Sequence, residues 1–218
     1  MDSRIQPRVH EFLDRAERCL TDGKHSEART VAEMLLLRRD LRYSVELQGL
    51  SPEQAQDAQA ALSEAMHCWS EALNGAVEFV PATGRFADVR ISFVESVRSG
   101  GCDVAGHAVW RRQILNWRED QFSYQVSADI HIRTRLPGGS KMSRGMMRHT
   151  ALHELGHVLG LNDSRRSGDA MSALNPFSPV SQPSGAEVLS LVNVFDQAGM
   201  FLSQAMQQDL IGVLNRSS

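Results

Sequence analysis

His153, Glu154 and His157 stand in the run His153-Glu154-Leu155-Gly156-His157, and their spacing gives the run chemical meaning. Residues four apart on an α-helix lie one turn above each other on the same face. Both imidazoles can therefore address one ion at about 2.0–2.1 Å. Glu154 directly follows the first histidine, so its carboxylate can reach a water on the ion without being a ligand, the position of a general base. Beyond His157, Gly160 admits a positive φ and hence a sharp turn. Three residues further, Asp163 can swing back as a third ligand. His149 extends the histidine stripe by one turn but sits too far along the axis to share the coordination sphere; it reads as a residue behind the ligands or at the surface.

The segment from His149 to Asp163 resembles the zinc site of the metzincin metalloproteases, and in detail that of the matrixin branch. The usual pattern ends in histidine, whereas this chain ends in Asp163, as other metzincin-like peptidases do. An anionic oxygen ligand leaves the site less positive than a third imidazole would, which implies a less acidic bound water and activity at higher pH. The resemblance also implies that Met171, in Gly168-Asp169-Ala170-Met171-Ser172, is the methionine of the turn beneath the metal. Ser164 fits the same pattern, although Ser172-Ala173 replaces the Tyr-Pro that commonly follows. Similarity extends to Leu41-Arg42-Tyr43, Cys68-Trp69-Ser70, Ala87 to Phe93 and Gln208 to Leu214, and so spans about residues 39–218. His107 and His131 match positions where some matrixins hold a second, structural zinc. Two histidines do not close a site, and Cys102 and Asp103 match the remaining ligands only loosely, so these are read as ordinary strand histidines. No acidic cluster resembling a calcium loop is visible.

The elements that must position these groups are marked by hydrophobic periodicity. Val9, Phe12, Leu13, Ala16 and Leu20 recur at helical spacing, Thr21-Asp22-Gly23-Lys24 breaks the pattern, and Ser26 to Leu37 resumes it. This predicts a helical hairpin over residues 1–38, free to contact a partner or the rest of the chain. Leu41 to Leu47 alternates as a half-buried strand. Ser51-Pro52-Glu53 then opens a long amphipathic helix that stops at Asn74-Gly75. Strands are expected over Ala76 to Val80, Ala87 to Val94 and Ser127 to Arg133, followed by the histidine helix and a last helix near Gln208 to Leu214. Residues 174–200 read as an insertion between the methionine turn and that last helix, with helical periodicity of its own from Val188 to Phe201. The whole predicts an α/β (α+β) fold: a zincin-like domain over 39–218 with a twisted mixed sheet and three main helices, preceded by the hairpin. The cleft is expected between the strand at 128–133 and the histidine helix, with an extended substrate pairing to that strand's edge.

Composition limits the alternatives. The chain has 218 residues, is 42% hydrophobic and carries a formal charge of −3, which suits one core and gives no electrostatic case for nucleic acid or an anionic membrane as partner. The basic pairs Arg38-Arg39, Arg111-Arg112 and Arg165-Arg166 read as solvated surface. The longest aliphatic run, Met34 to Leu37, is far short of the roughly 20 residues of a membrane span. The first residues lack the apolar stretch of an export signal, and Cys19, Cys68 and Cys102 have no CxxC spacing. Both observations lead to the expectation of a cytoplasmic protein, with non-classical export left open. Cys19 sits on the apolar side of its helix and reads as a structural thiol rather than a latency switch. The expected function is a zinc-dependent endopeptidase acting on a protein or peptide. The alternative is a zinc-stabilised binding module, inactive or held latent by residues 1–38.

Overall fold

The computed structural model describes residues 2–37, 40–84, 86–118 and 121–216, the last six of these as helical backbone only. The Arg38-Arg39 pair and the boundary near residue 38 lie outside the described residues. Two helices come first, α1 (Pro7–Thr21) and α2 (His25–Leu35). Strand β1 (Asp40–Glu46) and the long helix α3 (Pro52–Ala72) follow. Ser51 caps α3 in a reciprocal pair with Gln54, and Pro52 occupies the first turn, where its missing N–H costs nothing. Then come β2 (Glu78–Pro81), β3 (Val89–Val94), the small hairpin β4 (Val97–Ser99) and β5 (Cys102–Val104), and the long hairpin β6 (Gly106–Arg118) and β7 (Gln121–Arg133). Helices α4 (Arg144–Leu159) and α5 (Gly185–Arg216) complete the chain.

The main sheet has the order β2-β1-β3-β7-β6, parallel except for β6, which runs antiparallel to β7 at the edge. Val89, Ile91 and Phe93 of β3, and Ala128, Ile130 and Ile132 of β7, are buried at alternating positions. Period-2 alternation puts each set on one face of the pleat, and α3 and α4 belong to the same core. Trp69, fully buried on α3, donates its Nε1–H to the Leu152 carbonyl of α4 at 3.0 Å. Among the described residues no helix is long and apolar enough to cross a membrane.

The mixed sheet and the three main helices are as the periodicity implies, and three features add to that reading or differ from it. First, the periodicity from Val188 to Phe201 and the segment at Gln208 to Leu214 belong to one continuous α5. Second, α1 and α2 share the main core: Val9, Phe12, Leu13, Val31, Met34 and Leu35 cluster with Val158, Leu159 and Leu161, and both helices pack on α5. Third, β6 is an edge strand that the sequence pattern does not announce, and β7, where substrate pairing was expected, lies inside the sheet between β3 and β6.

Arg112 explains why β6 is hard to recognise. Arg165 and Arg166 are exposed, as expected for a solvated pair, and so is Arg111, but Arg112 is only 1% exposed. It occupies the same alternating positions of β6 as Ala108, Trp110 and Ile114, which pack on the core. Its Nη2 donates to the Val158 and Leu159 carbonyls at 3.0 and 3.1 Å, and its guanidinium lies 5.5 Å from the Trp110 ring centre. Burial lowers its pKa to about 10, so it stays cationic at neutral pH. The negative end of the α4 dipole is its counter-charge. Replacing Arg112 by alanine leaves two buried carbonyls without a donor and a void beside α4; the expected loss is about 3 kcal/mol of unfolding free energy, read from urea denaturation.

Candidate metal centre

Ser143 caps α4 by accepting the Met146 N–H, and the helix ends at Gly160 with φ +118°, a left-handed conformation that favours glycine. His153 and His157 project from one face, their rings edge to face with centroids 4.8 Å apart. After the Gly160 turn the chain brings Asp163 back, its Oδ1 lying 3.2 Å from His153 Nε2 and 3.4 Å from His157 Nε2. Two donors held tetrahedrally at about 2.0–2.1 Å from zinc are themselves about 3.4 Å apart. Asp163 Oδ1 thus stands from each imidazole at about the separation a shared zinc ion would give, the three potential ligand atoms lie within 4.8 Å of one another, and among the described residues they form the only such cluster. His107 and His131 do face each other across β6 and β7, and among the described residues no third His, Cys, Asp or Glu completes a ligand group with them.

Hydrogen bonds orient the groups of the cluster. The Leu161 carbonyl accepts from His157 Nδ1 at 2.9 Å, which turns Nε2 toward Asp163 and leaves it as the nitrogen able to address an ion once its own proton is lost. Bonds from His153 and then His157 hold the Asp163 carboxyl far below the usual carboxylate range. Burial works against a charged His157, but Asp163, the Leu161 carbonyl and Glu154 outweigh it and raise its pKa. Glu154 is 3% exposed, and burial raises its pKa against the nearby histidines, toward the range of a general base at neutral pH.

The histidines, Glu154 and Asp163 line one cavity of about 880 Å³, walled on one side by Gly106, His107, Ala108 and Trp110 and on the other by Met171 to Leu174 and Pro176. Two glycines set its walls. A Cβ on Gly106 would stand 2.5 Å from Glu154 Oε1, so the edge strand approaches Glu154 only because that atom is absent. A Cβ on Gly156 would collide with Met171 Sδ, so Met171 is seated against the backbone of the histidine helix.

Several residues that hold this wall were not recognised in the sequence. Glu187, 1% exposed, accepts from the backbone N–H groups of Ala170, Met171 and Ser184 at 3.0, 2.8 and 2.7 Å, while Ser184 Oγ accepts the Glu187 N–H. One carboxylate thus caps α5 and holds the methionine turn. The Ser-x-x-Glu spacing before an apolar run was the available signal. Ser164 donates its N–H to the Met171 carbonyl and its hydroxyl to Asp169. His149 lies neither at the surface nor at the ligands: it is 1% exposed, its Nδ1 accepts the Val180 N–H at 3.0 Å and its Nε2 reaches the Ser172 carbonyl at 3.1 Å. The accepting Nδ1 assigns the proton to Nε2, so a neutral His149 ties α4 to both ends of the 172–180 wall. Cys19 is buried with Ala28 and Ala205, away from the cavity lining.

A family model described as matrixin matches residues 37–182. The chain belongs to the matrixin family. Its general class is therefore that of the zinc metallopeptidases. No curated protein matches it. The matched span takes in the sheet, both α3 and α4, the histidine cluster and the 172–180 wall, and leaves out α1, α2 and α5.

Burial lowers the pKa of His149, the largest of its influences. A histidine that resists protonation when folded adds stability above its unfolded pKa of about 6.5, and that stability is lost as pH falls through this value because the unfolded chain takes up the proton first. Wild-type protein is expected to lose more unfolding free energy between pH 7.5 and 5.5 than His149→Gln, measured by urea denaturation at both pH values; parallel losses would contradict the assignment.

Proposed function

We propose that this matrixin is a zinc endopeptidase in which His153, His157 and Asp163 hold the metal and Glu154 is the general base. The observation that carries the reading is the convergence of these groups in one open cavity, with Glu154 pressed against the edge strand through Gly106. A zinc ion held there would acidify a water and polarise the scissile carbonyl.

The chain's own residues do the rest. Among the described residues no strand pairs with the outer side of β6, so its edge near Gly106 to Ala108 is free to take an extended peptide as an added strand. That register would lay the scissile bond along the cavity between β6 and α4. Glu154 accepts the proton of the attacking water and then delivers it to the departing amine. Its burial keeps the carboxylate away from bulk water, and the Ala108 backbone N–H beside it favours its charged form. The segment from Ala173 to Pro176 walls the cavity opposite β6 and would select the side chain that enters. The alternative of a latent or inactive binding module is less favoured, because the cavity is open and Cys19 lies in another cluster.

Wild-type protein is expected to cleave casein and a mixed fluorogenic peptide pool. Glu154→Ala should keep its zinc and lose at least about 100-fold in rate, whereas Asp163→Ala should lose zinc on dialysis. Equal cleavage by wild type and Glu154→Ala would remove Glu154 from the mechanism.

A further inference from the structure

Asp163 is the least sheltered member of the metal centre. Its side chain is 79% exposed, so side-chain packing does not hold it, and its place depends on the backbone on either side. On one side Ser164 is bonded to Met171. On the other side the anchor comes from the segment that leads into α1. The Asn162 N–H donates to the Arg4 carbonyl at 2.7 Å, and Asn162 Nδ2 donates to the Ser3 and Ile5 carbonyls, both at 3.1 Å. Ile5 and Leu161 form an antiparallel bridge.

Gln6 completes the connection. Its backbone N–H donates to the Gly160 carbonyl at 2.9 Å, and its Nε2 donates to the Leu161 carbonyl at 2.9 Å and the His157 carbonyl at 3.3 Å. The Leu161 carbonyl is the same one that accepts from His157 Nδ1. One oxygen therefore receives both the strap and the metal-facing imidazole. Gln6 is only 8% exposed and its Oε1 has no partner, so its amide is placed there for what the nitrogen donates. The far end of the segment is tied to α5, where Ser190 Oγ donates to Asp2 Oδ2 at 2.5 Å.

We infer that residues 2–6 are a strap that positions the metal site, with Gln6 and Asn162 as positioning residues for His157 and Asp163. The inference rests on the zinc reading above. It reverses the idea that residues 1–38 hold the protein latent: their leading segment belongs to the metal centre, and its removal weakens the site.

The test uses the full chain and measures zinc affinity by competition with a chromogenic chelator, the visible spectrum after cobalt substitution, and metal-free melting. Gln6→Met keeps the side chain's length and removes both the donor and the unpartnered Oε1, so the metal-free protein should melt as wild type does. Its zinc affinity should fall about tenfold or more, as for other groups that orient metal ligands, with a changed cobalt spectrum. Asn162→Ala, acting on the other side of the strap, should also weaken zinc by about tenfold. Wild-type zinc affinity and cobalt spectrum in both variants would overturn the inference, as would an affinity loss matched by an equal loss in metal-free melting. Failure of wild type to bind zinc, or binding unaffected by His153→Ala, would instead overturn the zinc reading itself.

Discussion

A helix that ends inside a protein leaves its last carbonyl oxygens without intrahelical donors, and each needs another partner. The end of α4 meets this requirement carbonyl by carbonyl. The Gly156 oxygen accepts the Gly160 and Leu161 N–H groups, and that of His157 accepts the Gly160 N–H and the Gln6 amide. The Val158 and Leu159 oxygens take the Arg112 guanidinium. The Gly160 oxygen takes the Gln6 N–H, and that of Leu161 takes the Gln6 amide and the His157 ring. Much of the architecture follows from this requirement. The β6–β7 hairpin carries an arginine from the sheet edge to the helix end, and the segment before α1 crosses to the same place. Because the last of these oxygens also fixes the imidazole of His157, a proposed ligand, satisfying the helix end and orienting the candidate site are one structural act.

The opposite wall is organised around a carboxylate and a neutral histidine. Glu187 gathers the N–H groups of Ala170 and Met171, and His149 receives the loop beyond them. The methionine turn is therefore suspended from the first turn of α5 and from the face of α4, and Met171 fits against α4 because position 156 has no side chain. Glycines at 106 and 156 act as paired spacers: one admits the edge strand to Glu154, the other admits the methionine to the helix. Adding a methyl at either place would move a wall of the cavity.

The candidate site was legible in the sequence because it depends on short spacings along one helix and one turn. His153, Glu154, His157, Gly160 and Asp163 lie within eleven consecutive residues, and the structure brings them together as that spacing implies. The strands with clean alternation, β1, β3 and the end of β7, were legible for a similar reason. Strand β6 was not, since Arg112 occupies an inward position and breaks the apolar pattern by which a strand is recognised. Nor was the part played by Gln6, because a glutamine before a helix has no distinctive signature until the element it meets is known. Glu187 differs: its capping-box spacing was visible, while its grip on Met171 was not, since that depends on how α5 lies against the turn.

The partners of the metal centre are far apart along the chain. Gln6 meets His157 and Leu161 across 151 and 155 residues, and Asp2 meets Ser190 across 188. Contacts of such range carry the largest loop-closure cost and form late in folding. During synthesis, the His-Glu-x-x-His segment emerges well before Glu187 and Ser190, and a chain stopped between them possesses the ligands without the full set of bonds that aim them. The order of the sequence thus delays completion of the proposed centre until Glu187 and Ser190 have been made, a delay that follows from topology and is independent of any inhibitor.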